Sequence, residues 1–122
     1  MTLLPFQTLY FEDLSLGMTE TYRKSGADPN MGSKLYATFC AAGLSPQLFA
    51  TNRIESGPNS IAYGFAAETL RSLLPAAERY GVTTAAEVQI DTLAARLREA
   101  ALAGNHCIFM PRVVGSWATV PG

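Results

Sequence analysis

The sequence predicts a single α+β domain over residues 1–122, with five or so helices and a small sheet. Three observations lead there. Apolar residues recur at three- and four-residue spacing over most of the chain, the mark of helices with one buried face. Only two stretches, 47–54 and 106–120, have strand character, and a long helical run separates them. Glycine, asparagine or proline stands at nearly every junction. The resulting order is helix, helix, strand, three helices, strand, with no internal repeat or low-complexity linker.

Residues 1–8 contain Pro5 and read as a lead-in. A helix is expected from Leu9, with Phe11, Leu14, Met18 and Tyr22 on one face. Arg23 and Lys24 fall in its last turn, where cations meet the unpaired carbonyls, and Gly26 is a stop. Gly17 inside it costs about 1 kcal/mol relative to alanine. It marks either close packing against a neighbour or simple tolerance. Asp28-Pro29 reads as a cap followed by proline at the first helical position. Met31, Leu35 and Phe39 form the expected buried stripe of this second helix, and Gly43 ends it.

After Pro46, the stretch Gln47 to Ile54 alternates with period two and is expected as a strand, with Leu48 and Ile54 toward the core. Ser56-Gly57-Pro58-Asn59 breaks the chain. The next helix runs from about Ile61 to Tyr80, with Phe65, Thr69 and Leu73 in one row and Ala66, Leu70, Leu74 and Ala77 beside it. Pro75 should kink or split it after Leu74, because proline donates no hydrogen bond and crowds the preceding turn. Gly81 closes this segment. Thr84 with Glu87 fits a capping box. Asp91 can cap the helix whose inward row is Leu93, Leu97 and Ala101, and Gly104-Asn105 ends it. His106 to Met110 and Val113 to Val120 are strand-like, interrupted by Pro111, with Gly115 either bending the strand or permitting close approach.

Composition sets limits on function. Hydrophobic residues make up 48% and charged residues 16%, against about 25% charged in ordinary soluble domains. Either a second subunit covers part of the surface or the alanine-rich helices account for the shortfall. Net charge is -1. The basic residues are scattered from Arg23 to Arg112 without the clustering that nucleic acid demands. No apolar run is long enough to span a bilayer, and the N-terminus lacks the features of a signal peptide, so a cytoplasmic protein is expected. Cys40 and Cys107 can form one disulfide, but two free, buried thiols are the expectation for a reducing cytosol.

Few residues carry chemistry. No glycine-rich turn follows an early strand, so neither a dinucleotide site nor a phosphate loop is present. His106 and Cys107 are neighbours on a strand and point to opposite faces, a poor chelate. His106 is a candidate general base or a hydrogen-bonded edge residue. Glu68 either pairs with Arg71 on the exposed side or faces inward, where it would need a partner or a raised pKa. Phe49, Tyr63 and Phe65 either line an apolar pocket or pack in the core. Trp117 reads as a large core or interface residue.

Several phrases together carry a resemblance. Thr19-Glu20-Thr21-Tyr22-Arg23-Lys24-Ser25-Gly26-Ala27-Asp28-Pro29, then Met31-Gly32-Ser33-Lys34-Leu35 and Phe39-Cys40-Ala41-Ala42-Gly43-Leu44, resemble a run late in many class I S-adenosylmethionine-dependent methyltransferases. Thr69-Leu70-Arg71-Ser72-Leu73-Leu74-Pro75 and Ile90-Asp91-Thr92-Leu93-Ala94-Ala95-Arg96-Leu97 look like their inserted lid helices. Val114-Gly115-Ser116-Trp117-Ala118 looks like their final strand. The resemblance runs from about residue 9 onward and implies an antiparallel, hairpin-like sheet, the C-terminal part of a Rossmann-like fold without its cofactor-binding half. In that family the last two strands are antiparallel, and the late helices cover the acceptor.

The resemblance further implies a substrate-lid or acceptor-binding part that is inactive alone. S-adenosylmethionine is then expected only in complex with a separately encoded donor-binding half. The final strand would be left with a bare edge, which favours association with that half or with a second copy of the chain. A non-enzymatic homodimer that binds a small ligand or is purely structural, and a truncated fragment with no separate role, are the alternatives. A small-molecule acceptor fits the first reading; membrane and nucleic-acid partners do not.

Overall fold

The computed structural model describes residues 11–122, and their side chains from Leu16 onward. Leu9 and the lead-in therefore lie outside the described residues, as do the side chains of Phe11 and Leu14. Helix α1 spans Phe11–Lys24. A 3-10 turn, Met31–Lys34, runs directly into α2, Leu35–Ala41. Strands β1, Gln47–Thr51, and β2, Ile54–Glu55, precede α3, Ala62–Arg79. Then come α4, Ala85–Val88, and α5, Ile90–Ala103. Strands β3, Ile108–Phe109, and β4, Val113–Trp117, complete the order.

The helix ends follow from local chemistry. Gly26, Gly43, Gly81 and Asn105 all have positive φ, at 91°, 78°, 70° and 50°. Around each, the amide of the left-handed residue bonds three residues back and the next amide five back. Gly81 N donates to the Glu78 carbonyl at 3.1 Å and Val82 N to Ala77 at 2.8 Å. Asn105 N donates to Leu102 at 3.3 Å and His106 N to Ala101 at 2.9 Å. This paired closure satisfies carbonyls that a helix end otherwise leaves bare. At the end of α5 the left-handed residue is Asn105 and not Gly104. The His106 ring lies over Gly104, where a Cβ would stand 2.1 Å from Nε2.

The core sits between helices. Ala62, Tyr63, Ala66, Ala67 and Leu70 of α3 are buried against Leu93, Leu97 and Ala101 of α5, with Val88 and Ile108 closing the cluster. The expected inward row of α5 is thus buried, and of the two rows expected on α3 the one with Ala66, Leu70 and Ala77 is buried, while the row of Phe65, Thr69 and Leu73 contains no buried residue and Phe65 is exposed. Met18 of α1 packs onto the same cluster. Gly17 and Thr21, one turn apart, are the buried residues of this helix. The Thr21 hydroxyl donates to the Gly17 carbonyl at 2.8 Å.

β1 pairs antiparallel with β4, from Gln47 opposite Trp117 to Thr51 opposite Val113. β2 pairs antiparallel with β3, Ile54 opposite Phe109 and Glu55 opposite Ile108. Residues 52–53 therefore face residues 110–112, two against three, which is a β-bulge. Pro111, which has no amide to give a ladder, occupies the longer side. Met110 N still donates to the Arg53 carbonyl at 2.9 Å. The expected strands 47–54 and 106–120 thus pair across the helical connection, each broken into two by the bulge, with the second ending at Trp117.

Several expectations are corrected. Leu48 and Ile54 are 50% and 60% exposed, because the ribbon meets the helical core mainly through Ile108. Period two dictates alternation but not which face is covered. The 31–41 segment contains no buried residue; among the described residues it packs on β4 along one side. Asp28 precedes a turn and not a helix: Pro29 lies before the 3-10 segment. Pro75 does not split α3; Leu74 packs against the core and Ala77 is fully buried, so packing on both sides of the proline holds one helix. Gln89, with φ 47°, takes the junction before α5 in place of Asp91. Both free cysteines are exposed, since one lies on α2 and the other in the loop before β3, each outside the core. Trp117 is exposed too.

Leu97→Ala should lower the unfolding free energy by about 2–5 kcal/mol, the usual cost of emptying a buried leucine site. Leu48→Ala should cost less than about 1 kcal/mol. Urea unfolding followed by circular dichroism checks both.

Candidate functional site

The residues singled out from the sequence do not assemble into one centre. Tyr63 is buried, and its hydroxyl donates to the Gly57 carbonyl at 2.9 Å. Phe65, two residues on, is exposed on the other side of α3. Phe49 is exposed on β1, its ring laid across Gly115, where a Cβ would stand 2.2 Å from Cζ. Gly115 thus serves close approach, and an apolar pocket shared by Phe49, Tyr63 and Phe65 does not form. Glu68 is exposed and pairs with Arg71 at 3.4 Å, which also reaches Asp91 at 3.1 Å. This is the outward-facing ion pair, and it holds α3 to the start of α5. Such pairs on the surface contribute little stability. His106 is exposed beside Gly104.

A better-built element is the loop between β2 and α3. The Glu55 side chain is only 14% exposed. Its Oε2 accepts from Arg53 Nε at 2.8 Å, and its Oε1 accepts from the Ser60 hydroxyl at 2.8 Å and the Ile61 amide at 3.2 Å. Ser60 Oγ in turn accepts from the Ala62 amide at 3.1 Å, and Arg98 Nε donates to the Pro58 carbonyl at 3.1 Å. With Tyr63 on Gly57, the loop is tied at both ends and at its middle. The Arg53 guanidinium, helped by the Ser60 hydroxyl, holds the Glu55 carboxyl below its ordinary value of 4.5. The sequence signal was an acid just before a turn and a helix start, where a carboxylate satisfies free amides.

The second built element is an open groove of about 450 Å³ lined by Pro29, Asn30, Gly32, Ser33, Arg112 and Val114. The 29–33 turn forms one wall and β4 with the bulge the other. Asp28 shapes the turn: its carboxylate accepts from Lys34 Nζ at 2.5 Å and from the Asn30 amide at 2.8 Å. Lys34 first, then Asn30, hold that carboxyl below its ordinary range. Gly32 lies close against Val114, since a Cβ there would stand 3.0 Å from Val114 Cγ2. None of the five sequence candidates lines this groove. Among the described residues no three His, Cys, Asp or Glu side chains cluster as a metal site would require. No helix among them is long and apolar enough to cross a membrane.

The turn at 57–60 connects a two-residue antiparallel strand to α3, and the Gly57 and Pro58 carbonyls are taken by Tyr63 and Arg98. Comparison with known protein families, curated proteins and solved structures finds no match.

The Glu55 network should weaken in acid. Because its folded pKa is lowered, its stabilising effect is complete above pH 4.5 and is lost as pH falls through the folded value. Amide hydrogen exchange at Ile61 should quicken selectively in that range, and Glu55→Gln should show the quickened exchange already at pH 7.

Proposed function

We propose that this chain is the acceptor-side part of a class I S-adenosylmethionine-dependent methyltransferase and works only together with a donor-binding half. The single observation that supports this most is the antiparallel pairing of β1 with β4 across the long helical connection. Among the described residues the sheet has only those two strands, so β4 keeps an unpaired edge. That is where the resemblance puts a strand of the donor-binding half. Exposed amides and carbonyls along such an edge are a template for another strand, and an isolated two-stranded sheet is marginal in water.

Side chains beside the edge fit the same reading. Phe49, Val113 and Trp117 lie on one face of the ribbon by the alternation of the paired strands, and all three are more than half exposed. Exposed apolar side chains grouped in this way mark a contact surface. α3 and α5 would serve as the lid over the acceptor. No residue of this chain is assigned to the donor. The same exposed face supports a second reading, a symmetric homodimer without catalytic activity.

The test is capture of the tagged chain from native extract, followed by transfer of a labelled methyl group by the captured complex. Activity in the complex, and none in the chain alone, is expected. Trp117→Arg should cut both capture and activity by about tenfold or more, as loss of a central aromatic contact does, without changing the far-UV circular dichroism. Tight S-adenosylmethionine binding by the chain alone, or a monomer that captures nothing with methyl-transfer activity, would overturn the proposal. A dimer without activity would favour the second reading.

A further inference from the structure

The geometry points to a binding site for a small organic carboxylate in the groove between the 29–33 turn and Arg112. This inference stands on the chain's own residues and does not rest on the methyltransferase reading. Its size suits a small molecule, since ligand sites usually measure about 300–1,000 Å³.

Charge is the first argument. Arg23, Lys34, Arg53 and Arg71 each have a carboxylate partner. Arg112, like Lys24 and Arg98, has no ion pair among the described residues, but it is the one cation that lines the groove; its Nε donates to the Asn52 side-chain oxygen at 3.3 Å. That bond leaves the two terminal nitrogens of a planar fork, the geometry that matches a carboxylate. The nearest acid by sequence to the opposite wall, Asp28, is already neutralised by Lys34. The local balance is therefore one uncompensated positive charge.

Position is the second argument. Arg112 is one of the three residues that the bulge sets against 52–53. A bulge re-aims a side chain that a regular ladder would place elsewhere. Here the Asn52 bond spans the bulge and holds the guanidinium at the groove. Across from it, the Asn30 side-chain amide can donate a further hydrogen bond. Val114 and Pro29 supply an apolar wall. The arrangement is thus a cation at one end and hydrocarbon beside it, which selects an anion with a compact apolar body over a bare inorganic ion.

Benzoate, with benzamide as its neutral counterpart, tests this by amide chemical-shift titration of the full chain. Benzoate, at concentrations on the order of 10 mM suited to a weak site, should move the amides of Asn30, Gly32, Ser33 and Val114, and benzamide should not. Arg112→Gln should weaken benzoate binding about tenfold or more, the loss of a charge-assisted hydrogen bond. Arg112→Lys should retain only part of it, because a point charge lacks the fork. The proposal is overturned if Arg112→Gln binds benzoate like the parent, if benzamide binds equally, if the shifts lie elsewhere, or if no titration occurs. Arg112 is exposed, so an unchanged amide spectrum of the unliganded variants will show that the fold is intact.

Discussion

The contact between α3 and α5 is the constraint on which everything else depends. Leu70 of α3 meets Leu93 and Leu97 of α5, and all three are almost completely buried. Alanines at 62, 66, 67 and 101 let the backbones approach. Each fully buried leucine contributes about 1.5–3 kcal/mol relative to exposure. That burial also solves a topological problem. The ribbon joins strands far apart in sequence, and closing such a loop costs conformational entropy before any strand hydrogen bond forms. Packing α3 on α5 folds the connection back on itself, and Ile108 then anchors β3 in the same core.

The apolar material is unevenly spent. The helical half has the buried apolar cluster, and its two buried threonines bond internally: Thr21 to a carbonyl, and Thr83 to Glu87 at 3.1 Å. The ribbon half leaves Phe49, Ile54, Phe109, Val113 and Trp117 exposed. Leu16, Tyr22, Tyr36 and Phe65 are exposed on the helices too, so the exposed apolar surface is shared between the two halves.

Much of the fold was legible. The helix stops at Gly26, Gly43 and Gly81 were readable because a left-handed residue after a helical run is a local requirement, met by glycine without strain. The inward row Leu93, Leu97 and Ala101 was readable because helical period identifies a face. Thr84 was readable as a cap, and its hydroxyl accepts from the Glu87 amide at 3.2 Å. The candidate sites were much less legible. His106, Glu68 and the three aromatic residues were chosen by residue type, and type does not say which groups meet. Glu55 and Arg112 were passed over because their roles depend on partners five or six positions away, or sixty.

Sequence by itself determined where each helix ends, which stripe of α3 and α5 is apolar, and which two stretches are strands. Those properties depend on backbone dihedrals and on side chains within a few residues of one another. Tertiary structure alone decided that the ribbon turns its aromatic side chains outward, that a bulge separates its two halves, and that Arg112 faces the 29–33 turn. Each of these depends on the register between distant strands. Register is settled by how many residues each strand contributes between fixed pairs and by which face the helical layer happens to cover, and neither quantity is written in any local window of the chain.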